Sequence, residues 1–189
     1  MFKHTLIAAA ITLGLSTAAA ANTYLIDTAG AHASINFKTI HLGFSFLTGR
    51  FDTFSGEYEF DPANPEAGKV NVRIDTNSLN SNHAERDNHL RSADFFDVSN
   101  HPEASFVSTS IKKTGDDTAI ITGDLTIRGV TKSVDIDAKF VGEGDDPWGG
   151  YRSGFTGTAS IVPADFGMPH VVAKNEVQLT LEVEGIQKK

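Results

Sequence analysis

Apolar and polar residues alternate with a period of two in one stretch after another of this chain, a rhythm that suits an antiparallel sheet with one dry and one wet face. Ala33, Ile35 and Phe37 alternate with His32, Ser34, Asn36 and Lys38. Phe51 is followed by Phe54, Gly56, Tyr58 and Phe60, so the phase slips by one residue near Thr53, as it does at a bulge or sharp bend. After the turn-rich Asp61-Pro62-Ala63-Asn64-Pro65 come Val70, Val72, Ile74 and Thr76, then strands opening at Phe106, at Ala119 and at Val130. In the last of these Val134, Ile136, Ala138 and Phe140 oppose Asp135, Asp137 and Lys139. Phe155, Gly157, Ala159 and Ile161, then Val177, Leu179, Leu181 and Val183, bring the total to about eight strands, enough for one all-β domain.

The ends and the composition narrow the class. Residues 1–21 read as a secretory leader: Lys3 is the positive start, Leu6 to Leu15 the apolar stretch and Ala19-Ala20-Ala21 the small-residue cleavage site. The mature domain is then 22–189, and no later segment approaches the ~20 apolar residues of a membrane-spanning helix. The chain has no cysteine, which excludes a disulfide framework, a thiolate nucleophile and a lipidated cysteine. Its net charge of −8 disfavours nucleic acid and anionic membranes as electrostatic partners. Lys38, Glu57, Glu59, Asp135, Asp137, Glu176, Glu182 and Glu184 occupy the wet faces of the strands, so an outer-membrane barrel with an apolar exterior does not fit.

A sheet of this size is expected to close into a barrel, which removes its edges. Glycines 56, 123, 154 and 157 lie where barrel bends need them. An eight-stranded barrel has room either to fill with side chains or to hold one small ligand, and the alternation does not decide between them. Phe51, Phe54, Phe106 and Phe155 fall on the inward phase.

One segment breaks the pattern. Asn82 to Asp97 is helical in character, with Asn82 as N-cap and Glu85 three residues on. On a helical wheel Arg86, His89, Leu90, Ala93 and Phe96 share one side, and His83, Asp87, Arg91 and Asp94 the other. The first stripe either faces a ligand or pairs its Arg86 and His89 with a carboxylate beneath the helix.

The chemical signals are sparse. Asp165-Phe166-Gly167 matches a kinase tripeptide without the companions a kinase needs, and reads as a turn. His83 and Asp87 lie one helical turn apart but lack a third ligand with metal-site spacing. Ser153-Gly154 is not set in a nucleophile elbow. An enzyme acting on an apolar substrate inside the barrel, with His89 as acid/base beside Asp94 or Asp97, is the alternative to a binding protein. Trp148, in Asp145-Asp146-Pro147-Trp148-Gly149-Gly150-Tyr151-Arg152, either plugs a hairpin or stands at the barrel mouth. Leu42-Gly43-Phe44-Ser45-Phe46-Leu47 is a loop or short helix that serves core packing or a portal flap.

Taken in order, Ile40-His41-Leu42-Gly43, Asn82 to Asp87 with His89 to Phe96, Gly123-Asp124-Leu125-Thr126-Ile127-Arg128-Gly129-Val130-Thr131-Lys132 and Gly144 to Gly150 resemble the YceI family of bacterial periplasmic proteins across essentially the whole mature chain. The resemblance implies a closed antiparallel lipocalin-like β-barrel with one inserted α-helix. It also implies periplasmic binding or transport of a long-chain isoprenoid or other amphiphilic lipid (polyprenyl, quinone-type or fatty amide), without catalysis, metal or cofactor. The expected ligand contacts are Phe37, Leu42, Phe44, Phe51, Phe54, Arg86, His89, Leu90, Ala93, Phe96, Phe106, Trp148 and Phe155, with Arg86 or Arg152 meeting a pyrophosphate or quinone oxygen. Whether the chain forms a homodimer stays open.

Overall fold

The computed structural model describes residues 21–189, so the expected leader lies outside the described residues except for Ala21. Eleven strands form: β1 (Asn22–Ile26), β2 (Ser34–His41), β3 (Ser45–Phe51), β4 (Phe54–Phe60), β5 (Lys69–Asp75), β6 (Leu79–Asn80), β7 (Glu103–Lys113), β8 (Thr118–Ile127), β9 (Val130–Asp145), β10 (Tyr151–Ile161) and β11 (Val177–Gln187). Among the described residues there is one α-helix, α1, spanning Ala84–Arg91. Strands β1, β4, β5, β7, β8, β9, β10 and β11 follow one another around a closed antiparallel ring, with β1 pairing β11 to complete it. The expected eight-stranded lipocalin-like barrel is therefore present.

Its membership differs in one strand. β11 forks: Gly185 to Gln187 pair with β1, whereas Val177 to Glu182 pair with β2. β2 and β3 form a ribbon hung from that second half and tied to β6 through Arg50 opposite Asn80 and Phe51 opposite Leu79. β1 carried no alternation signal because Leu25, an apolar residue, is on its outer side and 46% exposed. The phase slip near Thr53 marks the point where the chain leaves the ribbon as β3 and enters the ring as β4.

The two ends of the barrel are unlike. At one end lie the β4–β5 connection, with its 3-10 turn at Pro65–Ala67, and the tight β7–β8 turn at residues 114–117. At the other, α1, the residues after it and the 3-10 turns Pro163–Phe166 and Val171–Lys174 form a plug. Phe51, Leu79, Phe95, Phe106, Ile127, Phe166, Met168 and Ala173 are all buried in that plugged core, with Leu90, Phe96 and Phe37 packed against it. Asp165-Phe166-Gly167 is a turn there, with Phe166 2% exposed and Gly167 at φ 75°. Asp135 and Asp137 alternate outward along β9 and are exposed, as a water-facing exterior requires.

The Leu42 to Leu47 segment is neither a helix nor a flap. Leu42 (φ 51°) and Gly43 (φ 80°) are the central residues of a tight turn in a three-residue hairpin connection, with Phe44 N–H donating to the His41 carbonyl at 3.0 Å and Ser45, opposite His41, already in β3. Leu42, Phe44 and Phe46 are 67%, 88% and 61% exposed, far from core packing. Asn adopts the left-handed region more readily than Leu, so Leu42→Asn is expected to raise stability by about 1 kcal/mol, read as a higher denaturant midpoint with an unchanged slope.

Candidate functional site

Adjoining strands at one level of the barrel carry small inward residues: Ala119 on β8 faces Ala138 on β9, which faces Gly157 on β10. A Cβ on Gly157 would already stand 3.0 Å from Ile136 Cγ2, so this level stays hollow because these side chains are short. The result is a cavity of about 340 Å³, open at the end of the β4–β5 and β7–β8 turns. Its wall is hydrocarbon: Ile74, Phe106, Leu125, Val134, Ile136, Leu179 and Leu181 line it toward the plug.

Nearer the opening the wall turns aromatic. Phe60 meets Phe155 edge to face at 5.0 Å and Phe140 at 5.3 Å, and Tyr58 meets Phe155 at 5.5 Å. Tyr58 lies against Gly185, where an added Cβ would come 2.4 Å from its hydroxyl, so glycine makes room for the ring. The Tyr58 hydroxyl donates to the Ser153 carbonyl at 2.9 Å and shares a hydrogen bond with Ser153 Oγ at 2.7 Å. Burial pushes its pKa well up, so it stays a neutral donor. Tyr24 stacks on Tyr58 with centroids 5.2 Å apart and is 0% exposed. Among the described residues its hydroxyl makes no well-formed hydrogen bond; burial first and then the Glu143 carboxylate raise its pKa, and the nearby Asn22 and Ser153 side chains temper that rise.

Of the thirteen residues expected to contact a ligand, Phe54, Phe106 and Phe155 line the cavity. Phe37 and Phe51 face the interior but lie deeper, in the plugged core, where Phe51 meets Phe96 at 5.6 Å. The helix stripe is corrected. α1 stops at Arg91 because the Ser92 hydroxyl donates to the His89 carbonyl at 2.7 Å and the chain turns, so Ala93 and Phe96 do not continue its wheel. Leu90 and Phe96 pack into the plug, Ala93 is exposed, and neither they nor Arg86 and His89 line the cavity. The N-cap is His83 rather than Asn82.

The polar residues of that segment are structural instead. Arg86 donates to Ser81 Oγ at 2.7 Å and to the Ser81 carbonyl at 2.5 Å, and Arg91 donates to the carbonyls of Asn77 at 2.8 Å and Leu79 at 2.5 Å. Asp87, placed on the outward side by the wheel, is buried and accepts from the Ser81 N–H at 2.8 Å and from its hydroxyl. Arg128 secures the following turn by donating to the carbonyls of Ala93 and Phe95. His89 is exposed and holds Asp94 at 3.0 Å, which leaves an acid/base inside the barrel without support.

Arg152 is also accounted for, on the outer face of the ring. It donates to Asp146 Oδ2 at 2.7 Å, Asp27 Oδ2 at 2.7 Å and Glu184 Oε1 at 2.6 Å. Asp27, His32 and Glu184 offer atoms within 4.8 Å of one another, as a metal site would, but the guanidinium already fills their centre. Arg152, the Gly30 N–H and His32 together hold the Asp27 pKa down to about 2. Asp146 accepts from the N–H groups of Trp148 and Gly150, forming the hairpin turn, and Trp148 is 78% exposed with Arg152 5.5 Å from its ring. Trp148 therefore caps the hairpin and the clasp rather than the cavity mouth, and Leu42 and Phe44 are at the plugged end.

Comparison with known proteins agrees with this architecture. A UPF0312 protein of Vibrio parahaemolyticus is 52% identical over 179 residues, 95% of each chain. The crystal structure of the Campylobacter jejuni YCEI protein superimposes with a TM-score of 0.71 at 31% identity, covering 79% of this chain and 90% of that one. A polyisoprenoid binding domain from Saccharophagus degradans shares the fold, with a TM-score of 0.63 at 17% identity over 89% of this chain and 99% of that one. The model of the YceI-like domain matches residues 24–185, and the chain belongs to that family.

Proposed function

We propose that this protein binds and carries a long-chain apolar lipid of the polyisoprenoid class in its barrel, in the periplasm after removal of residues 1–21. The observation that carries the reading is the hydrocarbon-walled cavity open at one end. Each methylene buried there contributes roughly 0.8 kcal/mol, so a few isoprene units offset the cost of association without polar contacts. The Saccharophagus degradans domain, named for polyisoprenoid binding, supports the ligand class. Among the described residues no helix is long and apolar enough to cross a membrane.

The test is organic extraction and mass spectrometry of the protein purified from its own periplasmic fraction. A prenyl-type lipid in near-stoichiometric amount is expected, on a chain beginning near Asn22. Recovery of the protein free of any lipid, from cells that make such lipids, would overturn the reading.

A further inference from the structure

We propose that the β2–β3 hairpin docks this protein on an anionic phospholipid membrane, with its apolar tip entering the bilayer surface and the polar cleft beside it receiving a lipid phosphate. The inference goes beyond lipid carriage and stands whether or not the barrel holds a ligand.

The tip is apolar without packing against anything. Leu42, Phe44 and Phe46 are exposed at the turn, and Ile40, opposite Phe46, carries the patch onto β2. Large side chains grouped on a projecting hairpin leave hydrocarbon in water, and a bilayer surface buries it without any change in the barrel. The hairpin is at the plugged end, so docking there is separate from entry of a ligand into the cavity.

Charge decides the class of partner. The chain has 24 acidic residues, yet none stands between Asp27 and Asp52, a stretch that carries Lys38, Arg50, His32 and His41. Arg50 is paired with Asp52 at 2.6 Å. Lys38 has no ion-pair partner among the described residues, and its ammonium lies 4.1 Å from the centre of the Phe46 ring. An aromatic tip with a cation beside it matches the anchors that settle at a membrane interface. The net charge of −8 opposes an anionic surface as a whole. Physiological salt screens exposed charges beyond about 8 Å, so the surface meets the carboxylate-free hairpin first.

The cleft supplies a second contact. β6 pairs only with Arg50 and Phe51 of β3, which leaves the edge from Ser45 to Gly49 open. A polar cleft of about 310 Å³ runs there, with His41, Ser45 and Thr48 on the hairpin side and Ser81, Asn82 and Arg86 opposite, and Phe46 ties it to the tip. Arg86 uses Nε and Nη2 on Ser81, while its Nη1 takes no hydrogen bond and no carboxylate lies within ion-pair reach among the described residues. A guanidinium with donors to spare, set among hydroxyls, is matched to a phosphate. A second copy of the chain is the poorer occupant, because a two-fold contact through this patch would bring two carboxylate-free cationic ribbons together.

The experiment pellets the mature protein, stripped of lipid, with sucrose-loaded vesicles of phosphatidylglycerol and phosphatidylethanolamine, or of phosphatidylcholine alone, at physiological salt. The bound fraction is expected to be at least fivefold higher on the phosphatidylglycerol vesicles. The double variant Phe44→Ser, Phe46→Ser should lower that binding at least tenfold and Lys38→Glu severalfold, with melting temperatures unchanged because all three side chains are exposed. Ser45→Asp sets a carboxylate in the cleft without touching the bonds of Arg86 to Ser81, and should also lower binding severalfold. In a Trp148→Phe background, the emission of a Phe44→Trp reporter should move to shorter wavelength when the vesicles are added. Ala138→Trp, which narrows the cavity, should bind vesicles as the parent does. Equal binding to both vesicle types overturns the anionic membrane as partner, and unchanged binding of Ser45→Asp overturns the role of the cleft. Full binding by the double variant, or a reporter that does not shift, overturns the hairpin as the contact. Loss of binding in a folded Ala138→Trp variant would show that vesicles are met through the cavity instead. If the parent binds no vesicles and light scattering shows a dimer that the double variant loses, the patch belongs to a second copy and the proposal fails, while lipid carriage stands.

Discussion

An Ala138→Trp variant is expected to emerge from purification with at least tenfold less lipid than the parent, whereas Ala93→Trp is expected to carry a full load. Ala138 is the centre of the small-residue row that keeps the barrel hollow, facing Ala119 on one side and Gly157 on the other. An indole there fills the space between β8 and β10 that an acyl or prenyl chain would occupy. Overpacking costs the fold about 1–3 kcal/mol, but an indole that projects into an existing cavity meets fewer neighbours than one forced into a filled core. Ala93 is exposed beyond the end of α1, and a bulky residue there meets water. Lipid per protein, by extraction and mass spectrometry, is read beside a melting curve for each variant. A folded Ala138→Trp protein that keeps its lipid would show that the chain does not lie in this cavity.

The second large effect is on stability. Arg152→Met removes the one cation shared by Asp27, Asp146 and Glu184, and Asp27 has a side chain only 6% exposed. Removing one partner of a buried pair typically costs roughly 3–5 kcal/mol, because the charges left behind have lost their water and their counterion. For a domain of this size that corresponds to a melting temperature lower by roughly 10 °C. The loss should depend on pH in a definite direction. In the parent the Asp27 pKa is held down to about 2, from 3.8, so its contribution is complete above about pH 4 and disappears as the pH falls toward 2. In the variant, acid instead relieves the stranded carboxylate by protonating it. The two melting curves should therefore converge between pH 4 and pH 2, and a gap that stays constant over that interval would show that Asp27 is not the group at stake.

Much of the barrel was legible because its strands are dry on one face only. Along β9 a residue's parity alone places Val134, Ile136 and Ala138 inside and Asp135 and Asp137 outside, and the same rule placed Phe54, Phe106 and Phe155 correctly on the cavity wall. The rule fails where burial is not set by parity. β1 has an exposed Leu25, so the strand that closes the ring shows no alternation. The helical wheel assumed that α1 runs to Asp97, but a serine hydroxyl bound to a carbonyl ends it at Arg91. Arg86 and Arg91 reach the carbonyls of Asn77, Leu79 and Ser81, with only the Ser81 hydroxyl as a side-chain partner, and a main-chain acceptor leaves no mark on the side-chain pattern. The hollow level of the barrel was hidden for another reason. Ala119, Ala138 and Gly157 are far apart in the chain and become a row only once the register of three strands is known.

The ring is a circle whose two ends are nearly the two ends of the described chain. Tyr24, Leu25 and Ile26, opposite Gln187, Ile186 and Gly185, join β1 to β11 in the shortest ladder of the ring, extended by the Asp27 N–H donating to the Glu184 carbonyl and the Lys188 N–H to the Thr23 carbonyl, both at 2.8 Å. The Arg152 clasp straddles this junction, gripping Asp27 just after β1 and Glu184 on β11. Every other pair of neighbours in the ring is nearer in sequence, whereas this junction joins residues more than a hundred and fifty positions apart and so carries the largest loop-closure cost in the ring. The barrel is in this sense a belt with a buckle: its two tips overlap at one short junction, and the guanidinium is the pin.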